Sequence, residues 1–317
     1  MKLHRYSPTN RLSALGFTLA EIMVAVVVAS IILLLMIQST VGALDTWKAN
    51  RDNARAARQA EIAIDQIFKD FESIQMRPGN KYEWLYSRVD DSGADDAVSG
   101  GTAAKLAFFT GATDRYNGQL GVTGADKGGD VSAVSYRLIY KDPIKNDTND
   151  YAVFALYRNL TDPDKAFADL IGQEELLASG GNTGPMKDSM DATGVLTNFI
   201  SENIYRFSLS FLIAYEKQAR DGTKVTEFKR ITVINTGGEN AVKELRIKGN
   251  GIYVTPEPSG YEAIRSGRIV SVDIGVTVIS ETAMDIIREG SLTGEALDAA
   301  IDKNSYRFTK TATLPHS

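Results

Sequence analysis

The chain has no cysteine among its 317 residues. That excludes a disulfide framework, a thiolate zinc site and a cysteine nucleophile. Histidine is nearly as scarce. The two present are His4, ahead of a long apolar run, and His316, next to the last residue. Neither position suits a general base inside a folded core. The GxxxxGK[ST] phosphate loop, the GxSxG elbow and the HExxH zinc motif are missing as well. Net charge is −5, and residues 1–16 hold Lys2, Arg5 and Arg11 with no acid, so the remainder is more acidic still. A sequence-independent nucleic-acid binder needs a basic face to replace counterions, and this composition offers none. The absences point away from an enzyme and from a nucleic-acid partner.

What the chain does have is a long uncharged stretch. From Ile22 to Leu44 no residue is charged. A helix of that length crosses ~30 Å of hydrocarbon. The basic residues all precede it, and Asp45 is the first charge after Glu21. The positive-inside rule then places residues 1–16 in the cytoplasm and everything after about Asp45 outside. A cysteine-free domain is compatible with a bacterial periplasm or surface. An ordinary secretory signal ending near Val41-Gly42-Ala43, or a plain signal anchor, competes with this reading. Glu21 counts against both, because a carboxylate at the centre of a membrane helix costs ~2.5–3.5 kcal/mol on insertion scales.

Gly16-Phe17-Thr18-Leu19-Ala20-Glu21, followed by the apolar run, resembles the class III leader of type IV pilins and type II secretion pseudopilins. The resemblance implies that a membrane-embedded prepilin peptidase cuts between Gly16 and Phe17 and methylates the new N-terminal Phe17. Glu21 then becomes the fifth residue of the mature chain. Ala20 stands where valine or isoleucine is more usual. The chemistry is consistent with that assignment. A lone carboxylate in lipid must pair or protonate. The amine released at Phe17 of a neighbouring subunit offers a partner for Glu21 in one register only, which makes the carboxylate a registry device. Ala25, Ala29 and Ser30 give small surfaces for close helix approach.

No proline or turn cluster interrupts the chain after this until Arg77-Pro78-Gly79. One helix is therefore predicted from Phe17 to Met76, with residues 17–44 as its transmembrane half and 45–76 as an amphipathic periplasmic half. Leu44, Trp47, Ala54, Ala57, Ile64, Ile67, Phe68, Phe71 and Ile74 recur at helical spacing and predict the packed stripe. Arg51, Arg55 and Arg58 read as a solvated face, with anionic lipid head groups as the alternative contact.

Residues 80–317 read as an α+β domain with a largely antiparallel sheet, covered on one side by the helix. Period-two runs at Val134–Tyr140, Tyr205–Ile213 and Val270–Val278 each predict a strand with one buried face. Further strands are predicted at 105–110, 152–159, 226–234, 244–254 and 304–313, and helices at 164–178 and near 281–302. Long polar loops fall at 87–103, 111–130 and 179–194.

"VSAVSYRLIY" (131–140), "YAVFALYRNL" (151–160), with its Leu156-Tyr157-Arg158, and "LTNFISENIYRFSLSFL" (196–212) resemble the J-type minor pseudopilins of type II secretion. The length and large loops are closer to prepilin-like proteins of the Verru/Chthon cassette C type. These resemblances imply a pilin-like fold and a structural minor subunit of a type II secretion-like pseudopilus or type IV pilus. The implied partners are prepilin peptidase, other pilin or pseudopilin subunits and inner-membrane lipid. The alternative is a membrane-anchored periplasmic module that binds a secreted substrate or surface ligand.

No cofactor is expected. Calcium ligands exist on paper in Asp147-Thr148-Asn149-Asp150 and in Asp90-Asp91 with Asp95-Asp96. Counted from Asp147, however, Tyr151 and Ala152 stand where an EF-hand loop needs a ligand and a glycine, so these acids read as solvated turns. Tyr82, Trp84 and Tyr86 alternate and predict core or edge-strand packing. Gly290 and Gly294 match GxxxG outside any apolar span, where the motif has no membrane meaning.

Overall fold

The computed structural model describes residues 18–89, 104–111, 130–145, 151–178, 183–191, 196–218, 223–234, 240–290 and 292–314. The chain divides into two units, Met1–Arg51 and Asp52–Ser317. Helix α1, Leu19–Glu72, runs through the division without a break.

In the first unit the described residues are the N-terminal part of α1, and their side chains are exposed throughout. This segment is long and apolar enough to cross a membrane. Three of its hydroxyls bond back to the helix, among them Ser30 Oγ to Val26 O at 2.7 Å and Thr40 Oγ1 to Met36 O at 2.8 Å. Such back-bonding leaves no hydroxyl of these residues unsatisfied against an apolar environment. The helix continues through Val41-Gly42-Ala43.

The second unit is α+β. Seven strands form sheet A in the order β10-β9-β1-β2-β3-β4-β5, and five form sheet B in the order β12-β11-β6-β7-β8. Sheet A contains β1 (Glu83–Val89), β2 (Ala104–Thr110), β3 (Ser132–Lys141), β4 (Val153–Thr161), β5 (Phe199–Glu202), β9 (Glu244–Lys248) and β10 (Gly251–Thr255). Sheet B contains β6 (Ile204–Gln218), β7 (Lys224–Val233), β8 (Ala241–Val242), β11 (Arg268–Ile279) and β12 (Ser305–Thr313). Every ladder is antiparallel except the short β7–β8 pair. Two helices, α2 (Glu281–Glu289) and α3 (Gly294–Lys303), connect β11 to β12.

One apolar core joins residues 52–72 of α1 to the inner faces of both sheets. The alternation in β6 is the clearest cause: Tyr205, Phe207, Leu209, Phe211 and Ile213 are buried while Arg206, Ser208 and Ser210 are not. A second cluster lies on the outer face of sheet A. There Trp84, Tyr86, Ala107 and Phe109 are covered by Leu170, Leu176, Leu177, Met186 and Met190. Each large apolar side chain moved from water into such a core contributes ~1.5–3 kcal/mol.

Several expectations change. The single sheet under one helix becomes two sheets, because β6 leaves β5 at Asn203 and starts a new ladder with β11. Residues 244–254 are a hairpin turning at Gly249-Asn250 and not one strand. The helix predicted over 164–178 shrinks to a turn at Pro163–Lys165 and a π-helical turn at Ala166–Leu170. The segment 281–302 holds two helices: Gly290 takes φ 60° to end α2, and Gly294 takes φ 60° at the start of α3. Those left-handed positions explain the glycines that match GxxxG. Residues 87–89 belong to β1, and 187–191 are helical within a predicted loop. Trp84 and Tyr86 pack inside a central strand, with β9 on one side and β2 on the other.

The packed stripe of α1 also shifts. Ala56, Ala60, Ala63, Ile64, Ile67, Asp70 and Phe71 are buried, whereas Ala54 is exposed and the helix stops at Glu72, short of Met76. Three alanines, Ala56, Ala60 and Ala63, form the first part of the buried stripe. Arg55 is not simply solvated. Its guanidinium reaches Glu202 at 3.0 Å and Glu281 at 3.7 Å.

The unexpected member of the stripe is Asp70. Arg158 on β4 clamps it with Nε donating to Oδ2 at 2.7 Å and Nη2 to Oδ1 at 2.8 Å, and Tyr136 on β3 donates its hydroxyl to Oδ2. Both charged side chains are 1% exposed. Breaking such a pair leaves a buried charge without compensation and costs ~3–5 kcal/mol. We predict that Asp70→Ala lowers the unfolding free energy of the full chain in detergent by that amount. Asp70→Leu combined with Arg158→Met and Tyr136→Phe, which also removes the hydroxyl that would lose its acceptor, recovers most of the loss, as read from denaturant midpoints. A cost below about 1 kcal/mol for Asp70→Ala alone would show that the pair is not a main fastening of α1.

Candidate functional site

Two places carry polar groups in settings that demand explanation: the start of α1, and a cluster of charges under the outer face of sheet A. Gly16 and Phe17, where the leader motif sets the cut, lie outside the described residues. Glu21 is described, and it has a local partner. Its Oε2 accepts from Thr18 N at 2.8 Å and from Thr18 Oγ1 at 3.0 Å, while Glu21 N donates to Thr18 Oγ1 at 3.3 Å. This is a reciprocal capping box, in which each of the two residues satisfies a backbone N–H of the other. A cap of this kind is worth ~0.5–2 kcal/mol. The Thr-x-x-Glu spacing was readable in the sequence, but the leader motif drew attention to Glu21 alone.

Glu21 shares a helix flank with Val24, Ala25, Val28, Ala29 and Ile32. Two of the three small residues singled out from sequence, Ala25 and Ala29, therefore stand beside the carboxylate. Ser30 is not on that flank.

In the second unit, Glu83, Glu244, Arg246 and Arg88 form a mostly buried network. Arg246 donates from Nε to Glu244 Oε1 at 2.6 Å and from Nη1 to Glu83 Oε1 at 3.1 Å. Arg88 Nη1 donates to Glu244 Oε2 at 3.0 Å, and the Arg246 guanidinium lies 4.7 Å from the centre of the Tyr86 ring. Glu83 also accepts from Leu176 N, which ties down the segment that covers the outer face. Burial pushes the Glu83 carboxyl up to about 7, partly opposed by Arg246. A carboxyl tuned to neutrality is the mark of a general base. Here the group is 1% exposed and already engaged with Arg246 and Leu176, so it fastens the covering segment.

The candidate calcium residues at 90–91, 95–96 and 147–150 lie outside the described residues, as do both histidines. Among the described residues no group of three or more acids or histidines converges as a metal site.

Comparison of the chain with protein-family models, curated proteins and solved structures gives no match.

The Glu83 setting yields a pH prediction. Its folded value of about 7 lies above the ordinary carboxyl range, so the folded chain holds a proton that the unfolded chain has released. The stabilisation is complete below about pH 4 and is lost as pH rises through about 7. Relative to Glu83→Gln, the native chain should therefore lose stability between those values. Urea midpoints of both proteins at several pH values test this, and parallel curves would sink it.

Proposed function

We propose that the chain is a prepilin-like subunit whose leader ends at Gly16 and whose mature form builds into a pseudopilus or pilus. The supporting observation is the position of Glu21, three residues into a helix that continues through the apolar segment to Glu72. On this reading, residues 1–16 are cytoplasmic, the apolar part of α1 spans the inner membrane, and the domain after it is periplasmic. Prepilin peptidase cuts before Phe17 and methylates it. Glu21, held at the helix start by Thr18, then meets the Phe17 amine of the adjacent subunit in correct register. The role is structural, as a minor subunit priming or tipping the filament, and no catalysis is assigned.

A second reading, an anchored binding module in the periplasm, draws on one observation. Ile144, Tyr151 and Leu196 are exposed beside the half-buried Phe199 around a cavity of about 440 Å³. Apolar groups clustered in this way on a surface are a common mark of a binding patch.

Mass spectrometry of the protein recovered from membranes separates the two. A mature N-terminus at methylated Phe17 is expected. An intact Met1 favours the anchored module, and a start at Leu44 identifies an ordinary secretory signal. Substitution at Glu21 makes a second test. Glutamine preserves the capping box and alanine removes it, yet both lack the charge. Both variants should enter the membrane and fail to assemble, as judged by sheared-filament fractions. Normal filaments with either residue would rule out the registry role.

A further inference from the structure

A cleft of about 360 Å³ opens where the β9–β10 hairpin, the segment after α1 and the start of β11 meet. Met76 and Ile269 contribute half-buried apolar surface to it, over the buried Trp84, Ile247 and Ile252. Arg77, Lys248 and Arg268 line it too, and among the described residues no carboxylate does. In a chain of net charge −5, three cations in one cleft with no acid among the described residues that line it run against the average composition. Two of the three cations have neighbours of their own, Arg268 among them. Glu175 reaches Lys248 at 3.9 Å, and Glu83, the register partner of Lys248, is bonded to Arg246. Lys248 Nζ also lies 5.5 Å from the centre of the Tyr253 ring. Arg77 is exposed and makes no side-chain bond among the described residues.

The walls are preformed. A Cβ on Gly249 would stand 2.6 Å from Arg77 O, and one on Gly267 would stand 2.8 Å from Ala214 O. Backbones that close leave no room for adjustment, so the cleft keeps its shape without a ligand. Its volume falls in the range of small-molecule sites, which combine an apolar lining with a few convergent polar groups.

We propose that this cleft binds an organic carboxylate that carries an apolar body. Arg77 supplies charge-assisted hydrogen bonds to the carboxylate, Lys248 and Arg268 add positive charge, and Met76 with Ile269, backed by Trp84, takes the apolar part. The same chemistry is presented by a free organic acid and by the C-terminal carboxylate of a peptide. The inference rests on the cleft alone and holds whether or not the chain enters a filament.

Trp84 provides the readout, since the chain has only two tryptophans. With Trp47→Phe in the full chain in detergent micelles, Trp84 reports alone. The probes are 3-phenylpropanoate and the acetylated dipeptide leucyl-phenylalanine with a free C-terminus, each beside its neutral amide. A saturable change in Trp84 emission is expected with at least one acid, and the matching amide should bind about tenfold more weakly or worse. Response to the dipeptide only assigns the site to chain termini, and response to 3-phenylpropanoate only assigns it to small acids. Arg77→Gln should weaken acid binding by a similar factor and leave the amide unaffected. Should Arg77→Gln fail to fold by circular dichroism, added salt makes the same test, because it must weaken the acid and spare the amide. Equal binding of acid and amide, an identical response to inorganic phosphate, or no saturable response to either acid would overturn the proposal.

Discussion

The buried contact between Asp70 and Arg158 is the constraint on which the second unit depends. Two opposite charges at 1% exposure have lost their water, and only good mutual geometry offsets that loss. The geometry is two-pronged, and Tyr136 donates a third hydrogen bond to the same carboxylate. Burial, reinforced by the neighbouring carboxylate, holds the Tyr136 hydroxyl well above its ordinary range, so it stays a donor. Sliding α1 by one residue moves Asp70 by ~1.5 Å along the helix axis and turns it by about a quarter of a revolution. Either displacement breaks the clamp. An apolar stripe tolerates small slips because any methyl group can replace another, whereas this pair does not.

Other contacts take their positions from that register. Ser73 Oγ meets Thr110 Oγ1 at 2.7 Å one turn beyond Asp70, and Ile74 bridges to the same threonine. Phe71 stacks on Phe108 at 4.5 Å. Towards the other end of the docked segment, Ser201 Oγ donates to Gln59 O, and Lys310 reaches Asp65 at 2.8 Å across the ring of Phe68. Thr110, Phe108 and Ser201 belong to sheet A and Lys310 to sheet B, so α1 joins the two sheets as well as covering them.

Legibility followed burial geometry. Strands β6 and β11 face water on one side, and their period-two pattern identified them. Strand β1 is buried on both faces, with Leu85 in the inner core and Trp84 and Tyr86 in the outer cluster. A strand of that kind has no alternation to read, and it was legible only as an aromatic pattern. Near Ala54 the hydropathy pattern misplaces the stripe of α1, because alanines are nearly neutral in it and the first three buried residues, Ala56, Ala60 and Ala63, are all alanines. Asp70 was invisible for another reason. Its partner lies 88 residues further along the chain, and nothing local marks an acid that will be buried. Arg158 was noticed within Leu156-Tyr157-Arg158, but only through a resemblance, without its role. At the candidate site, Glu21 stood out at once, while its bond to Thr18 needed coordinates to be seen.

By itself the sequence determined the uncharged run, the unbroken helix, the antiparallel strands with one wet face, and the position of Glu21. All of these rest on properties of neighbouring residues: charge, helical spacing, alternation and the absence of breakers. Only the tertiary structure decided that the strands divide into two sheets, that Asp70 meets Arg158, that Glu83 is buried against Arg246, and that Arg77, Lys248 and Arg268 line one cleft. The reason is physical. Those outcomes depend on which distant surfaces exclude water from each other, and the cost of burying a charge is set by a partner the local sequence does not contain.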